Sequence, residues 1–137
     1  MSLEFDSGTY FSWKDKPVGT AVEGRIVATG MVPTTDYDSG QPEFWPDGNP
    51  KMTAVITLEA PDETVWRVYA PKPSAMWAAW TKAAHATGGG KILEGGWLKT
   101  MYTGDKPSTD KKKKPQKLYE SFYTPPPEGA VDPDDIL

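Results

Sequence analysis

Aromatic rings and cations are the residues of this chain whose types and spacing could do chemistry. Arg67 and Tyr69 stand two positions apart in one run of β-forming residues, and Trp97 and Lys99 stand two apart in another. Side chains two positions apart on a strand point to the same face of a sheet. Unstacked nucleobases lie on such rings, while cations track the phosphates. The pattern therefore predicts a surface that binds a single strand of nucleic acid.

Other rings and cations extend this predicted surface along further strands and loops. The long loop after the first strand carries Trp45 together with Tyr37 and Phe44. A later loop holds a run of four lysines, which alone would indicate only a solvated segment. The predicted ligand-binding set is Arg25, Trp45, Lys51, Arg67, Tyr69, Trp97, Lys99, Lys111, Lys112, Lys113, Lys114, Tyr119 and Tyr123.

Each aromatic residue also has a structural interpretation. Tryptophans on strands and helices commonly belong to the core, where we place Trp66, Trp77 and Trp80. For Trp97 and Tyr119 the sequence does not decide between the core and the surface, because the glycine pair at 95–96 leaves the register of the following strand undetermined. The alternative role of Trp45 is to stabilise the conformation of its own loop.

Residues for catalysis or metal binding are few. The chain has no cysteine and a single histidine, His85, which lies in an alanine-rich helical segment. The stretch Gly88-Gly-Gly-Lys91 is not a Walker motif, because that motif needs glycine at position 85 and a preceding strand. Asp36 and Asp38 stand in a turn-rich loop and are expected to form turns. The sequence thus predicts neither an enzyme nor a metal or cofactor site.

Runs of alternating polar and apolar residues predict the elements that position these side chains. Gly24 and Gly30 inside the first run predict a bend or bulge in that strand. Ser74 is the expected N-cap of the one helix, and Gly88 its C-terminal stop. The predicted strands cover residues 18–32, 51–59, 64–70, 92–103 and 116–124, and the predicted helix covers residues 74–87.

Five strands with one helix between the third and the fourth is the element order of the OB-fold. This fold is a five-stranded Greek-key barrel whose strands 2 and 3, with the adjoining loops, bind oligonucleotides. We therefore predict a mainly β chain with long loops, an OB-fold single-stranded DNA-binding domain at residues 1–124, and a flexible, disordered, proline-rich and acidic interaction tail at residues 125–137. A β-sandwich that carries one helix is the alternative fold.

The charge distribution separates this body from the tail. The formal net charge is −4, from 15 Lys and Arg against 19 Asp and Glu, and every basic residue lies at or before Lys117. Four acids lie in the last ten residues, so the rest of the chain is neutral and the tail carries the excess. Such asymmetry is typical of an interaction tail. The sequence shows no secretory leader and no apolar stretch of membrane-spanning length, which favours a cytoplasmic protein.

The final residues, Asp132-Pro-Asp-Asp-Ile-Leu137, place acids directly before an apolar pair. This end resembles the acidic tip of bacterial and phage single-stranded DNA-binding proteins. The body is similar to small phage-encoded members of that class, notably in the loop Trp45-Pro-Asp-Gly before the second strand. The resemblance covers the strand order over residues 18–124 and the last six residues. It departs from the bacterial pattern in ending with Ile-Leu and in having a short linker.

The resemblance implies that the chain binds single-stranded DNA, largely independently of sequence, in replication, recombination or repair in the host cytoplasm. It also implies that the tail recruits replication and recombination proteins. The implied tail residues are Asp132, Asp134, Asp135, Ile136 and Leu137. Alternatively, the tail only confers solubility, or the chain is a structural or protein-interaction module, for example in a virion. Because OB domains often associate, a homo-oligomer such as a dimer stays open, and no membrane partner is expected.

Overall fold

The structure is a computed structural model that describes residues 8–36, 38–87, 89–106 and 116–127. Within these residues the chain forms one helix and six strands, which confirms the mainly β class. The strands are β1 Thr9–Tyr10, β2 Ala21–Pro33, β3 Met52–Glu59, β4 Val65–Pro71, β5 Trp97–Lys106 and β6 Gln116–Thr124, and the helix is α1 Ala75–Ala86. The helix lies between β4 and β5, the strands predicted as third and fourth.

The six strands form one open mixed sheet in the order β1-β4-β3-β2-β5-β6. The pairing of β1 with β4 is parallel, and the other pairings are antiparallel. The prediction of a closed five-stranded barrel is therefore wrong for the described residues. The edge of β4 pairs at Trp66 and Arg67 with β1, a short strand that the sequence did not indicate.

Strand β2 bends and pairs with both halves of the sheet. Its first half pairs with β5 from Ala21 to Arg25, and its second half pairs with β3 from Arg25 to Pro33. A bulge interrupts the second pairing between Ile26 and Ala28. At Gly24 a Cβ atom would overlap the backbone carbonyl of Glu59. The predicted bend is therefore present, and Gly24 allows the close approach that it requires.

The helix α1 lies on the core side of the sheet and packs mainly against β6. Its N-cap is Ser74, as predicted, and the Ser74 hydroxyl accepts a hydrogen bond of 3.1 Å from the Trp77 amide. Trp80 is buried, and its indole N–H donates to the hydroxyl of Thr100, which is fully buried on β5. The predicted stop, Gly88, lies outside the described residues, and the helix ends at Ala86.

Four aromatic residues, Phe11, Trp13, Trp66 and Tyr119, link the two ends of the sheet; we call them the aromatic bridge. The Phe11 ring lies 5.2 Å from that of Trp66 on β4, and the Trp13 ring lies 5.0 Å from that of Tyr119 on β6. Phe11 and Trp13 contact each other at 4.7 Å. Burial, and next the neighbouring Tyr102, raise the pKa of the Tyr119 hydroxyl to about 12. Side chains rather than backbone pairing therefore connect β4 with β6.

Among the residues that the structure describes, no helix is long and apolar enough to cross a membrane.

Two glycines of β2 provide a matched test of this geometry. We expect Gly24→Ala to lower the free energy of unfolding by about 1–3 kcal/mol, because its new methyl group overlaps the backbone of β3. Gly30→Ala should be neutral or stabilising by up to about 1 kcal/mol, because a Cβ at Gly30 meets no atom within 4 Å. Urea unfolding of both variants measures the difference, and equal costs would contradict the described bend.

Candidate nucleic-acid interface

The outer face of β2, β3 and β4 is built by the alternation of side chains along these strands. On β3, Ala54, Ile56 and Leu58 belong to the core, so Val55 and Thr57 point to the opposite side. The register then aligns three outward-facing rows across the strands. These cross-strand rows are Arg25–Glu59, Ala28–Thr57–Arg67 and Gly30–Val55–Tyr69.

Small residues make the middle of this face concave. A groove of about 240 Å³ runs over it, with Ala28, Gly30 and Val55 on its floor and Arg67 and Tyr69 along one wall. We call this the outer groove. Because Gly30 has no side chain and a Cβ there would enter open space, the groove is open directly above β2. The predicted pair Arg67 and Tyr69 therefore lies on one side of a continuous depression.

The wall of the outer groove is extended by Tyr10, a residue outside the predicted ligand-binding set. The Tyr10 ring lies 5.4 Å from the Tyr69 ring at an interplanar angle of 64°. Its position follows from the parallel pairing of β1 with β4, which sets Tyr10 opposite Arg67. The Tyr10 side chain is 56% exposed, so the pair offers ring surface to a ligand.

Arg67 is held in place through its backbone, while part of its guanidinium lacks a partner. The Arg67 carbonyl accepts a hydrogen bond of 3.0 Å from the Phe11 amide. Its Nε is buried and has no hydrogen-bond partner in the described part of the chain. A buried donor without an acceptor costs roughly 1–3 kcal/mol.

Arg25, also predicted to contact the ligand, lies on the same face but is already paired. Its guanidinium stands 3.3 Å from the Glu59 carboxylate, which lies opposite it on β3. The two side chains are 54% and 44% exposed. Arg25 can therefore exchange Glu59 for a phosphate at little cost, because exposed ion pairs contribute at most about 1 kcal/mol.

Two more predicted residues, Trp97 and Lys99, point outward from β5, where the register sets Trp97 opposite Arg25, but neither lines the outer groove. The Trp97 ring is 37% exposed, and its N–H donates to the Glu23 carboxylate at 3.1 Å. The register sets Lys99 between Glu23 of β2 and Phe122 of β6. The open question about Trp97 is thereby answered in favour of the surface.

On strand β6 the predicted face is the wrong one. Tyr123 belongs to the core, and its hydroxyl accepts a hydrogen bond of 2.9 Å from the Leu93 amide. Tyr119 is half-buried in the aromatic bridge. The residues that β6 exposes instead are Leu118 and Phe122. Both alternating series contain aromatic residues, so alternation by itself did not distinguish them.

The loop between β2 and β3 is an ordered extension of the two strands rather than an irregular segment. Bridges join Thr35 to Pro42 and Phe44 to Pro50. Trp45 begins a tight turn, in which its amide donates to the Asn49 carbonyl at 2.8 Å. The Lys51 ammonium lies 4.7 Å from the centroid of the Trp45 ring, so these two predicted residues are in contact.

Several remaining expectations concern turns, metals and charged segments. Asp36 forms a turn as expected, because its carboxylate accepts hydrogen bonds from the Asp38 and Ser39 amides, which lower its pKa. In the described part of the chain, no group of three or more His, Cys, Asp or Glu side chains could hold a metal ion. The predicted residues that lie outside the described ranges are Lys111, Lys112, Lys113, Lys114, Asp132, Asp134, Asp135, Ile136 and Leu137.

Comparisons of the chain with family profiles, curated proteins and solved structures found no match. The geometry of the site is therefore the basis of the functional argument.

The exposed pair Arg25–Glu59 leads to a stability prediction. We expect Arg25→Ala and Glu59→Ala each to change the free energy of unfolding by less than about 1 kcal/mol, because solvent screens the pair. A double-mutant cycle by urea unfolding measures the coupling between the two side chains. A coupling well above that value would mean that Arg25 is committed to holding β2 against β3.

Proposed function

We propose that this chain binds single-stranded DNA along the outer groove, largely independently of sequence, during replication, recombination or repair. The observation that carries the proposal is the arrangement of Arg67 and the Tyr10–Tyr69 pair along one wall of an open, shallow groove. Rings and cations alternating beside a groove are what an unpaired strand requires.

The chemistry of the groove favours a strand bound through its bases and its backbone. Bases released from stacking can lie on Tyr10 and Tyr69, each worth about 1–3 kcal/mol. The Arg67 guanidinium, which lines the groove, can bind a phosphate oxygen. A duplex keeps its bases stacked inside, so the rings would find no partner there. Single strands should therefore bind better than duplexes.

The floor of the groove supports tolerance of sequence. Ala28, Gly30 and Val55 present no side-chain donor or acceptor that could read the edge of a base. Thr57 also lines the groove and supplies one hydroxyl, from a residue that is 8% exposed. Stacking on rings is available to every base, since every base has a π-face.

The order of the elements supports an OB-like origin for this surface. Strands β2, β3 and β4, helix α1, then β5 and β6 follow each other as the strands and helix of that fold do. The outer groove lies on β3 and β4, which correspond to the ligand-binding strands 2 and 3 of an OB-fold. In this proposal, β1 and the aromatic bridge connect β4 with β6 at the place where two strands would pair to close an OB barrel.

The second candidate function, a protein-interaction module, rests on residues at the other end of the sheet. On β5 and β6 the outward side chains of Trp97, Leu118 and Phe122 are 37%, 38% and 51% exposed. Exposed apolar groups of this kind are typical of protein contacts when they are contiguous. None of these three side chains lines the outer groove, so a partner there would not exclude DNA binding.

Filling the groove without removing any ring or charge tests the proposal. We expect Gly30→Val to weaken binding of a poly-dT oligomer at least about tenfold, because the new side chain occupies the space above β2 where bases would stack. Valine suits a strand, so stability should hold or rise. Fluorescence anisotropy of a labelled oligomer measures the affinity.

The matched control is Thr29→Val in the neighbouring position of β2. Thr29 also lines the groove, but threonine and valine have nearly the same volume, so this variant leaves the space above β2 open. The control should bind as the unaltered chain does. If both valine variants bind equally well, the outer groove is not the binding site.

A further inference from the structure

A second cluster of rings and cations lies beyond one end of the outer groove. Trp45 from the β2–β3 loop and Trp77 from the first turn of α1 line the same cleft of about 380 Å³. The other walls come from Asn49, Pro50, Met52 and the Lys72–Pro73 link. We call this the helix cleft. It contains Trp77, which the sequence analysis assigned wholly to the core.

Each tryptophan of the helix cleft is accompanied by a lysine. The Lys51 ammonium lies 4.7 Å from the Trp45 ring centroid, and the Lys72 ammonium lies 5.3 Å from that of Trp77. Lys51 also stands 3.8 Å from the Glu43 carboxylate, whereas Lys72 makes no ion pair with any described residue. The cleft therefore combines two rings with one positive charge that the described part of the chain leaves uncompensated.

Backbone hydrogen bonds hold both sides of the helix cleft in place. The Lys72 amide donates to the Met52 carbonyl at 2.9 Å, which ties the link before α1 to the start of β3. On the other side, the Gly48 amide donates to the Trp45 carbonyl at 2.9 Å. Trp77 follows the N-cap and packs partly against the core. The rings are thus positioned without a ligand, which lowers the entropic cost of binding.

The helix cleft is adjacent to the outer groove along the chain. Lys72 follows Tyr69 by three residues, and Pro71 is the last residue of β4. At about 3.3 Å per residue, this places Lys72 roughly 10 Å beyond the groove wall. Because Trp77 lies on the helix side of the sheet, a strand that leaves the groove past Pro71 passes around the end of β4 to reach the cleft.

We propose that the helix cleft is a second nucleotide subsite for the same single strand. A base stacks on Trp77 or Trp45, and Lys72 and Lys51 bind the flanking phosphates. The proposal rests on the proposed function and extends it to residues Lys72 and Trp77. The Lys72 ammonium, uncompensated among the described residues, favours a phosphodiester ligand over a proline-rich peptide, which would need the rings alone.

Oligomer length separates the helix cleft from the outer groove. An oligo-dT of about 4 nucleotides fills the groove alone, and one of about 12 extends into the cleft. We expect Lys72→Gln to weaken the longer oligomer about fivefold or more, and to reduce the slope of log affinity against log salt by about 0.7. Trp77→Leu should weaken the longer oligomer by roughly 5- to 150-fold, the equivalent of one lost stacking contact. Neither variant should change the affinity for the shorter oligomer.

Lys82→Gln, on the exposed side of α1, is the charge-matched control. If Lys72→Gln matches it in affinity and salt slope at both lengths while Gly30→Val still impairs binding, the proposed function stands and the subsite is wrong. If a proline-rich decapeptide instead quenches tryptophan emission and Trp77→Leu abolishes that quenching, the cleft is a peptide groove and the subsite is also wrong. Failure of the unaltered chain to bind either oligomer at low salt would contradict the proposed function and the subsite with it.

Discussion

The close approach of β2 to β3 at Gly24 is the constraint on which the rest of the structure depends. A residue with a Cβ at this point would overlap the Glu59 backbone, and the bulge between Ile26 and Ala28 follows immediately. Together they turn β2 so that one half pairs with β5 and the other with β3. Without this turn the six strands could not form a single sheet curved around α1.

The same turn produces the candidate site. Beyond the bulge, the outward positions of β2 are Ala28 and Gly30, which lie opposite Thr57 and Val55. Because these residues are small, the surface between β2 and β4 forms a depression instead of being flat. Arg67 and Tyr69 then stand above the depression, and the aromatic bridge fixes β1 so that Tyr10 lies against Tyr69. The site thus follows from backbone geometry as much as from its charged and aromatic residues.

Local patterns were sufficient to predict most elements. Strands β2, β3, β4 and β6 and the helix α1 begin and end within about three residues of the predicted bounds, because alternation and capping are local signals. Strand β5 begins later than predicted, at Trp97, because Gly95 has a positive φ of 90° and Gly96 belongs to the same turn. The two-residue β1 is too short to show any alternation, so neither its pairing nor the open sheet could be predicted.

The site was predictable only in part, for reasons that lie in long-range contacts. Arg67 and Tyr69 share a face because they are two residues apart, which sequence spacing shows directly. Which series of β6 faces the core depends on its register with β5, and this register buries Tyr123 and exposes Phe122. Trp77 lines the helix cleft only because the β2–β3 loop folds so that Trp45 lines the same cleft. No local pattern carries that information.

Amide chemical-shift mapping of the isotope-labelled chain, titrated with an oligo-dT of about 12 nucleotides, tests the central claim most directly. The account predicts that the largest shifts fall on Gly30, Val55 and Tyr69 at the outer groove, that they weaken with added salt, and that a duplex of equal length produces much smaller ones. Shifts centred on Trp97 and Phe122, or no shifts at low salt, would contradict the assignment of the outer groove as the site that binds single-stranded DNA.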